Sequence, residues 1–276
     1  MLSETPLDVV GERYRLLDLL GRGGMGAVYR AADRLTGHLV ALKQVMTPPE
    51  QLQFASRDMD SDPRVALAQE FQMLASLRHP NIIEVLDYGF DDSGRPYFTM
   101  TLLEGARTIV EAGQGQSLMA QVDLLLQTLQ ALAYLHRRGV VHRDLKPANV
   151  LVAGGRVKAL DFGLSVASTQ THEDISGELS GTIPYMAPEL FQGKRGGVGA
   201  DLYAVGVMAY EIFSGQHPFR TDNLAQLIAD ILSTPADVWK IGLNAALEKV
   251  LERLLAKAGQ IATRIRRDHH RVMRSG

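Results

Sequence analysis

The stretch His142-Arg143-Asp144-Leu145-Lys146-Pro147-Ala148-Asn149, with Asp161-Phe162-Gly163 beginning twelve residues after Asn149, decides the fold. Asp144 offers a carboxylate able to take the proton of an acceptor hydroxyl. Lys146 can neutralise charge on a moving phosphate, and Asn149 and Asp161 supply oxygen ligands for magnesium. Together these are the groups that moving a phosphoryl group onto a hydroxyl requires. Singly, Asp and Asn also favour turns and helix caps, but the joint spacing outweighs that reading.

A chain of 276 residues that is 46% hydrophobic can bury a core, as one large domain or two lobes. The formal charge of -2 leaves no global basic field, so no nucleic-acid partner is expected. The absence of cysteine rules out disulfides and thiolate zinc sites and is compatible with a reducing cytosol. Met1 to Asp8 is polar, with no signal-peptide pattern, and no apolar run approaches the roughly 18 residues of a spanning helix. The expectation is a cytoplasmic domain without a membrane span.

Short apolar runs alternate with glycines from Tyr14 to Lys43, which predicts antiparallel strands. Thr47 to Asp62 reads as a loop, and Val65 to Leu77 as a helix with Val65, Leu67, Phe71, Leu74 and Leu77 on one face. Ile82 to Tyr88 and Pro96 to Leu103 are strand-like, joined by the turn Asp91-Asp92-Ser93-Gly94. Beyond Gly105 helices dominate: Leu118 to His136, a buried Leu202 to Phe213, and the amphipathic Leu224 to Leu232 and Leu243 to Leu255.

The run Gly21-Arg22-Gly23-Gly24-Met25-Gly26 lies between two strand-like segments, where backbone amides can close over phosphates. A dinucleotide fold would need a helix to start at these glycines and an acid about 20 residues on. Here Val28-Tyr29-Arg30-Ala31 continues as strand and Lys43 stands where the acid belongs, so that reading loses.

The His-Arg-Asp and Asp-Phe-Gly motifs resemble those of the protein kinases, and the chain resembles a eukaryotic-like, bacterial-type serine/threonine protein kinase domain. The resemblance implies a two-lobed α+β fold. A small antiparallel-sheet lobe with one regulatory helix would occupy about residues 14–103, and a larger, mostly helical lobe about 104–257. Residues 1–13 would be an extension and 258–276 a basic tail. ATP and magnesium are the implied cofactors, and proteins with Ser or Thr acceptors the implied partners. Two rival readings are a catalytically weak or truncated kinase-fold scaffold acting by partner docking, and a small-molecule kinase.

By the same resemblance Lys43, ending Val40-Ala41-Leu42-Lys43, contacts the nucleotide phosphates and pairs with Glu70, although most lysines are simply solvated. Gly21, Gly23 and Gly26 would cover the phosphates, and Val28, Ala41 and Leu151 would sandwich the adenine. Met100 would be the gatekeeper before a hinge at Thr101-Leu102-Leu103, with Thr101 where Glu is common. Leu74, Leu86, His142 and Phe162 would form a regulatory stack anchored through Asp201. Asp161 to Glu189 resembles an activation segment, with Thr169, Thr171, Ser176 and Ser180 as candidate phosphorylation sites, Arg143 as their grip, and self-association as a route to autophosphorylation. Thr182 would touch Asp144 and Lys146 and favour Ser or Thr acceptors.

The resemblance breaks after Leu254-Leu255-Ala256-Lys257. Kinases usually continue with Asp-Pro and an Arg that pairs with the residue at the position of Glu189; this chain has Ala258-Gly259-Gln260-Ile261-Ala262. The end of the helical lobe is therefore expected to be incomplete. A shifted reading frame over residues 261–265 could encode Arg-Tyr-Ala-Asp, so a frame shift is one account of the tail. His269-His270, with Asp268 as the single carboxylate beside it, is not expected to be a metal site.

Overall fold

The computed structural model describes residues 9–23, 26–45, 71–161, 181–194 and 196–257. Its N-terminal lobe is a six-stranded antiparallel sheet in the order β1-β2-β3-β4-β6-β5. The strands are β1 (Val9–Val10), β2 (Tyr14–Gly23), β3 (Gly26–Asp33), β4 (Leu39–Val45), β5 (Val85–Phe90) and β6 (Pro96–Thr101). Among the described residues the sheet already includes Val9, ahead of the expected boundary at residue 14, because Val10 is buried and pairs with Tyr14. Arg13 then clamps the sheet by binding Asp33 and Asp87.

Side-chain alternation divides β4 between two cores. Val40 and Leu42 join Val10, Tyr14, Ala31 and Tyr97 on one face, while Ala41 and Val45 join Phe71, Leu74, Phe98 and Met100 on the other. Lys43 shares the parity of Ala41 and Val45, so the inner face of the sheet carries its charge. Residues 71–76 are the described end of a helix, α1, at the place where the sequence predicts one over Val65 to Leu77. The predicted loop Thr47 to Asp62 lies outside the described residues.

One expectation about the inner core is corrected. Leu86 is 49% exposed, whereas Val85 is 5% exposed and packs in the core that holds Leu74. Pairing steps from Val85↔Met100 to Asp87↔Thr99, so two residues of β5 advance for one of β6. This irregularity turns Leu86 outward and leaves Val85 as the inward residue.

The larger lobe contains a three-stranded sheet, β7 (Arg107–Thr108), β8 (Val150–Ala153) and β9 (Arg156–Ala159). Its helices are α2 (Ile109–Gly113), α3 (Leu118–His136), α4 (Val198–Ser214), α5 (Leu224–Ser233) and α6 (Ala245–Leu254). Thr108 and Glu111 close a capping box on α2, and Ser117 caps α3. The 19 residues of α3 are long and apolar enough by composition to cross a membrane, which a search for unbroken apolar runs does not reveal. Here one face of α3, with Leu124, Leu125, Ala131, Leu132 and Leu135, is buried in the lobe core.

Helix α4 is buried on nearly every side, as its continuous apolar sequence predicts. It meets α6 at Gly206, where an added Cβ would stand 2.9 Å from Leu254 Cβ and 3.1 Å from Leu255 Cδ2. Glycine therefore sets the approach of the two helices.

Candidate active site

The segment before Asp144 is held from beneath by a buried carboxylate. Asp201, in the first turn of α4 and 1% exposed, accepts the backbone N–H groups of His142 at 2.9 Å and Arg143 at 3.0 Å. His136 Nε2, at the end of α3, lies 2.7 Å from the same carboxylate. These bonds support Arg143 in a left-handed conformation with φ 66°, which a non-glycine residue adopts only under such constraint. The His142 ring is buried, and burial pushes its pKa below the usual imidazole value, so it packs as a neutral ring rather than acting as an acid or base.

The turn that Asp201 supports gathers four polar side chains. Lys146 Nζ lies 3.0 Å from Asp144 Oδ2 and donates to Thr182 Oγ1 at 2.7 Å. Thr182 in turn donates to Asp144 Oδ1 at 3.2 Å. Asn149 Nδ2 donates to the Asp144 carbonyl at 2.7 Å and to its Oδ2 at 3.1 Å. Asp144 is thus oriented by three neighbours, and Thr182 bridges its carboxylate to Lys146.

Asp161 follows β9 and is placed by backbone bonds. Leu160 N donates to the Asn149 carbonyl at 2.9 Å, while Ala159 exchanges bonds with Asn81 and Ile83 at the entry to β5. Asn81 is fixed in turn by Gln127 and the Val157 carbonyl. Asp161, with φ 58°, turns Oδ2 to within 2.7 Å of Lys43 Nζ. Lys43 is therefore paired with Asp161 here; Glu70, its expected partner, lies outside the described residues.

Asp161 Oδ1 is buried with no hydrogen-bond partner among the described residues. Asn149 spends its amide N–H groups on Asp144, which leaves its Oδ1 as an acceptor. The two oxygens suit magnesium, which is usually held by one or two protein oxygens, substrate phosphates and water. No group of three or more His, Cys, Asp or Glu able to hold a metal ion occurs among the described residues.

Gly21, Gly23 and Gly26 belong to the β2–β3 hairpin, with Gly23 opposite Gly26. Strand, not helix, follows the glycines. An added Cβ would meet nothing within 4 Å at Gly21 or Gly23, so the hairpin edge is open there, and Gly26 has φ 145°. Ala41 is buried opposite Met100, while Val28, Leu103 and Leu151 are partly buried. Thr101 N donates to Glu84 O at 3.1 Å at the end of β6.

Thr169, Thr171, Ser176, Ser180 and Phe162 lie outside the described residues, as does the tail 258–276. Sequence reasoning missed two supports. His136 lies 65 residues from Asp201 and carries no local mark. The Tyr185 hydroxyl donates to Glu211 Oε2 at 2.9 Å, and burial pushes both groups above their ordinary pKa values.

An antiparallel lobe with a glycine hairpin, set against a helical lobe that presents the Asp144 cluster, defines the protein kinase fold. The chain belongs to that family: residues 14–264 match the family described as protein kinase domain. It is 39% identical over 266 residues to the DNA damage-responsive serine/threonine-protein kinase RqkA of Deinococcus radiodurans, covering 92% of this chain and 38% of that protein. Against the serine/threonine-protein kinase PknA of Mycobacterium tuberculosis it is 33% identical over 254 residues, covering 89% of this chain and 57% of that one. The probable serine/threonine-protein kinase pknA2 of Bifidobacterium longum is 35% identical over 235 residues, covering 83% and 30%. The chain therefore spans between 30% and 57% of the length of these relatives.

Proposed function

We propose that the chain transfers the γ-phosphoryl group of ATP to Ser and Thr hydroxyls of proteins. The observation that carries this is the closed set of contacts among Asp144, Lys146, Thr182 and Asn149. In this reading Asp144 accepts the proton of the acceptor hydroxyl, and Lys146 stabilises charge on the group in flight. Thr182, bonded to both, shapes the place where a short aliphatic hydroxyl sits. Lys43 contacts the α- and β-phosphates under the Gly21, Gly23 and Gly26 hairpin, with Glu70 as its partner in the active state. Val28, Ala41, Leu151, Met100 and Leu103 enclose the adenine. Magnesium, when bound through Asp161 and Asn149, would supply charge neutralisation between the phosphates.

The same reading assigns activation to phosphorylation at Thr169, Thr171, Ser176 or Ser180, with self-association bringing one copy's segment to another's site. Arg143, next to Asp144, is suited to hold the added phosphate. The cysteine-free composition is compatible with a cytoplasmic location for the kinase domain.

Incubating the purified chain with labelled ATP, magnesium and dephosphorylated casein tests the proposal. Phosphoserine and phosphothreonine in casein, lost on chelation, are the expected products. Binding of ATP with no transfer to casein or to the chain itself would overturn it and favour a docking scaffold.

A further inference from the structure

A second group of polar side chains packs against the segment that follows Thr182. Ile183–Tyr185 form a single 3-10 turn, with few backbone bonds of its own: Tyr185 N to Thr182 O at 3.0 Å and Met186 N to Ile183 O at 3.1 Å. Pro184 has no N–H to contribute. The turn must be held largely by what lies against it.

His217 reaches it from the loop that follows α4. Its Nε2 lies 3.1 Å from the Pro184 carbonyl oxygen, and its ring meets Tyr185 edge-on at 6.0 Å and 89°. A carbonyl oxygen only accepts, so Nε2 carries the hydrogen. Nδ1 lies 2.9 Å from the Phe219 carbonyl oxygen and 3.1 Å from the Phe219 N, so both ring nitrogens have backbone partners. The Tyr185 hydroxyl is tied separately to Glu211.

The imidazole is itself fixed from both sides. Gly215 ends α4 with φ 76°, and Pro218 restricts the backbone of His217 to extended conformations. Phe219, 7% exposed, is buried with Ile183, Leu227 and Ile231. His217 therefore has a rigid base, and it grips the turn adjoining Thr182, whose hydroxyl joins Asp144 to Lys146.

We infer that His217 is a positioning residue for the protein acceptor: its Nε2–H bond to Pro184 holds Ile183–Tyr185, and with it Thr182, in place beside Asp144. The inference rests on the phosphotransfer reading above and concerns the acceptor side of the site, since His217 is remote in the chain from Lys43 and the glycine hairpin.

The test compares two substitutions. In His217→Gln the side-chain amide can place an N–H where Nε2 stands, whereas in His217→Asn the shorter amide reaches only the position of Nδ1. His217→Asn should raise KM for casein about three- to tenfold, the scale of one lost hydrogen bond, with KM for ATP unchanged. His217→Gln should restore most of the loss. Equal casein KM in wild type and His217→Asn, or equal rises in both KM values, would overturn the inference. Amide exchange at Tyr185 and Met186 gives a readout independent of turnover: it should quicken in His217→Asn and not in His217→Gln. If the wild type moves no phosphate, the proposed activity falls while exchange still decides the role of His217, unchanged protection in His217→Asn being the overturning result. His217→Ala serves as a second truncation should the Asn variant fail to fold.

Discussion

Lys43 Nζ and Asp161 Oδ2 stand 2.7 Å apart, joining the inner face of the N-terminal sheet to the segment just after β9. The lysine side chain is 7% exposed and the aspartate 21%, so neither charge is well solvated without the other. Lys43→Met would leave the Asp161 charge half-buried and uncompensated, and would remove a phosphate contact in the proposed reaction. The expected result is a fall in kcat/KM of at least about 100-fold together with a lower melting temperature. Wild-type phosphotransfer by this variant would remove Lys43 from the site.

Asp144 differs because it faces the acceptor. Its replacement by Asn keeps the size of the side chain and most of the contacts with Thr182 and Asn149. Turnover should drop by about 100-fold or more while ATP affinity stays near that of the wild type. Calorimetric titration with nucleotide beside an activity assay separates the two effects; a parallel loss of both would contradict the proposed base.

Most of this arrangement could be read from the sequence because phosphoryl transfer demands several polar roles within one short turn, and Asp144, Lys146 and Asn149 are neighbours in the chain. The strand-following glycines and the buried α4 were equally legible, since pattern alone distinguishes them. Long-range partners were not: nothing local to His136 points to Asp201, and nothing local to His217 points to Pro184. The misplaced Leu86 has another cause. Counting by twos along β5 fails where the pairing slips between Val85 and Asp87.

That slip makes a contrast between adjacent residues. Val85→Ala removes methyl groups from a packed core and should cost about 1–3 kcal/mol, whereas Leu86→Ala, on an exposed side chain, should stay within about 0.5 kcal/mol. Urea denaturation of the two variants checks the order. A larger cost at Leu86 would mean that β5 is paired one residue differently.

Gly206→Ala offers a case where local propensity and packing oppose each other. In an isolated helix Ala is favoured over Gly by about 1 kcal/mol. Here the new methyl would meet Leu254 Cβ at 2.9 Å and the Leu254 carbonyl carbon at 3.2 Å, neither of which is the end of a flexible chain. Overpacking should win, with a net loss of about 1–3 kcal/mol, and thermal melts of the variant would show a lower midpoint. A rise in stability would show that α4 and α6 can separate without cost.

Acid should loosen the N-terminal sheet through Asp33. Its carboxylate, 4% exposed at the residue level, accepts Arg13 Nε at 2.8 Å and Nη2 at 2.7 Å, Leu35 N at 2.9 Å and Thr36 Oγ1 at 2.8 Å. The Arg13 guanidinium, foremost among these, holds the group well below the usual carboxylate range. The unfolded chain titrates near the ordinary Asp value of about 3.9, so between that value and the lower folded one the unfolded state binds the extra proton. Stability therefore rises with pH through that window. The contribution of Asp33 is fully present above about pH 5 and is lost as pH falls toward the folded value. Asp33→Asn lacks the titrating group: it should be less stable than wild type at pH 7 by about 2 kcal/mol or more, with the difference shrinking below about pH 4. Denaturant midpoints of both proteins between about pH 2.5 and 7 give the comparison, and acid limbs that run parallel across that range would show that Asp33 is not the group responsible.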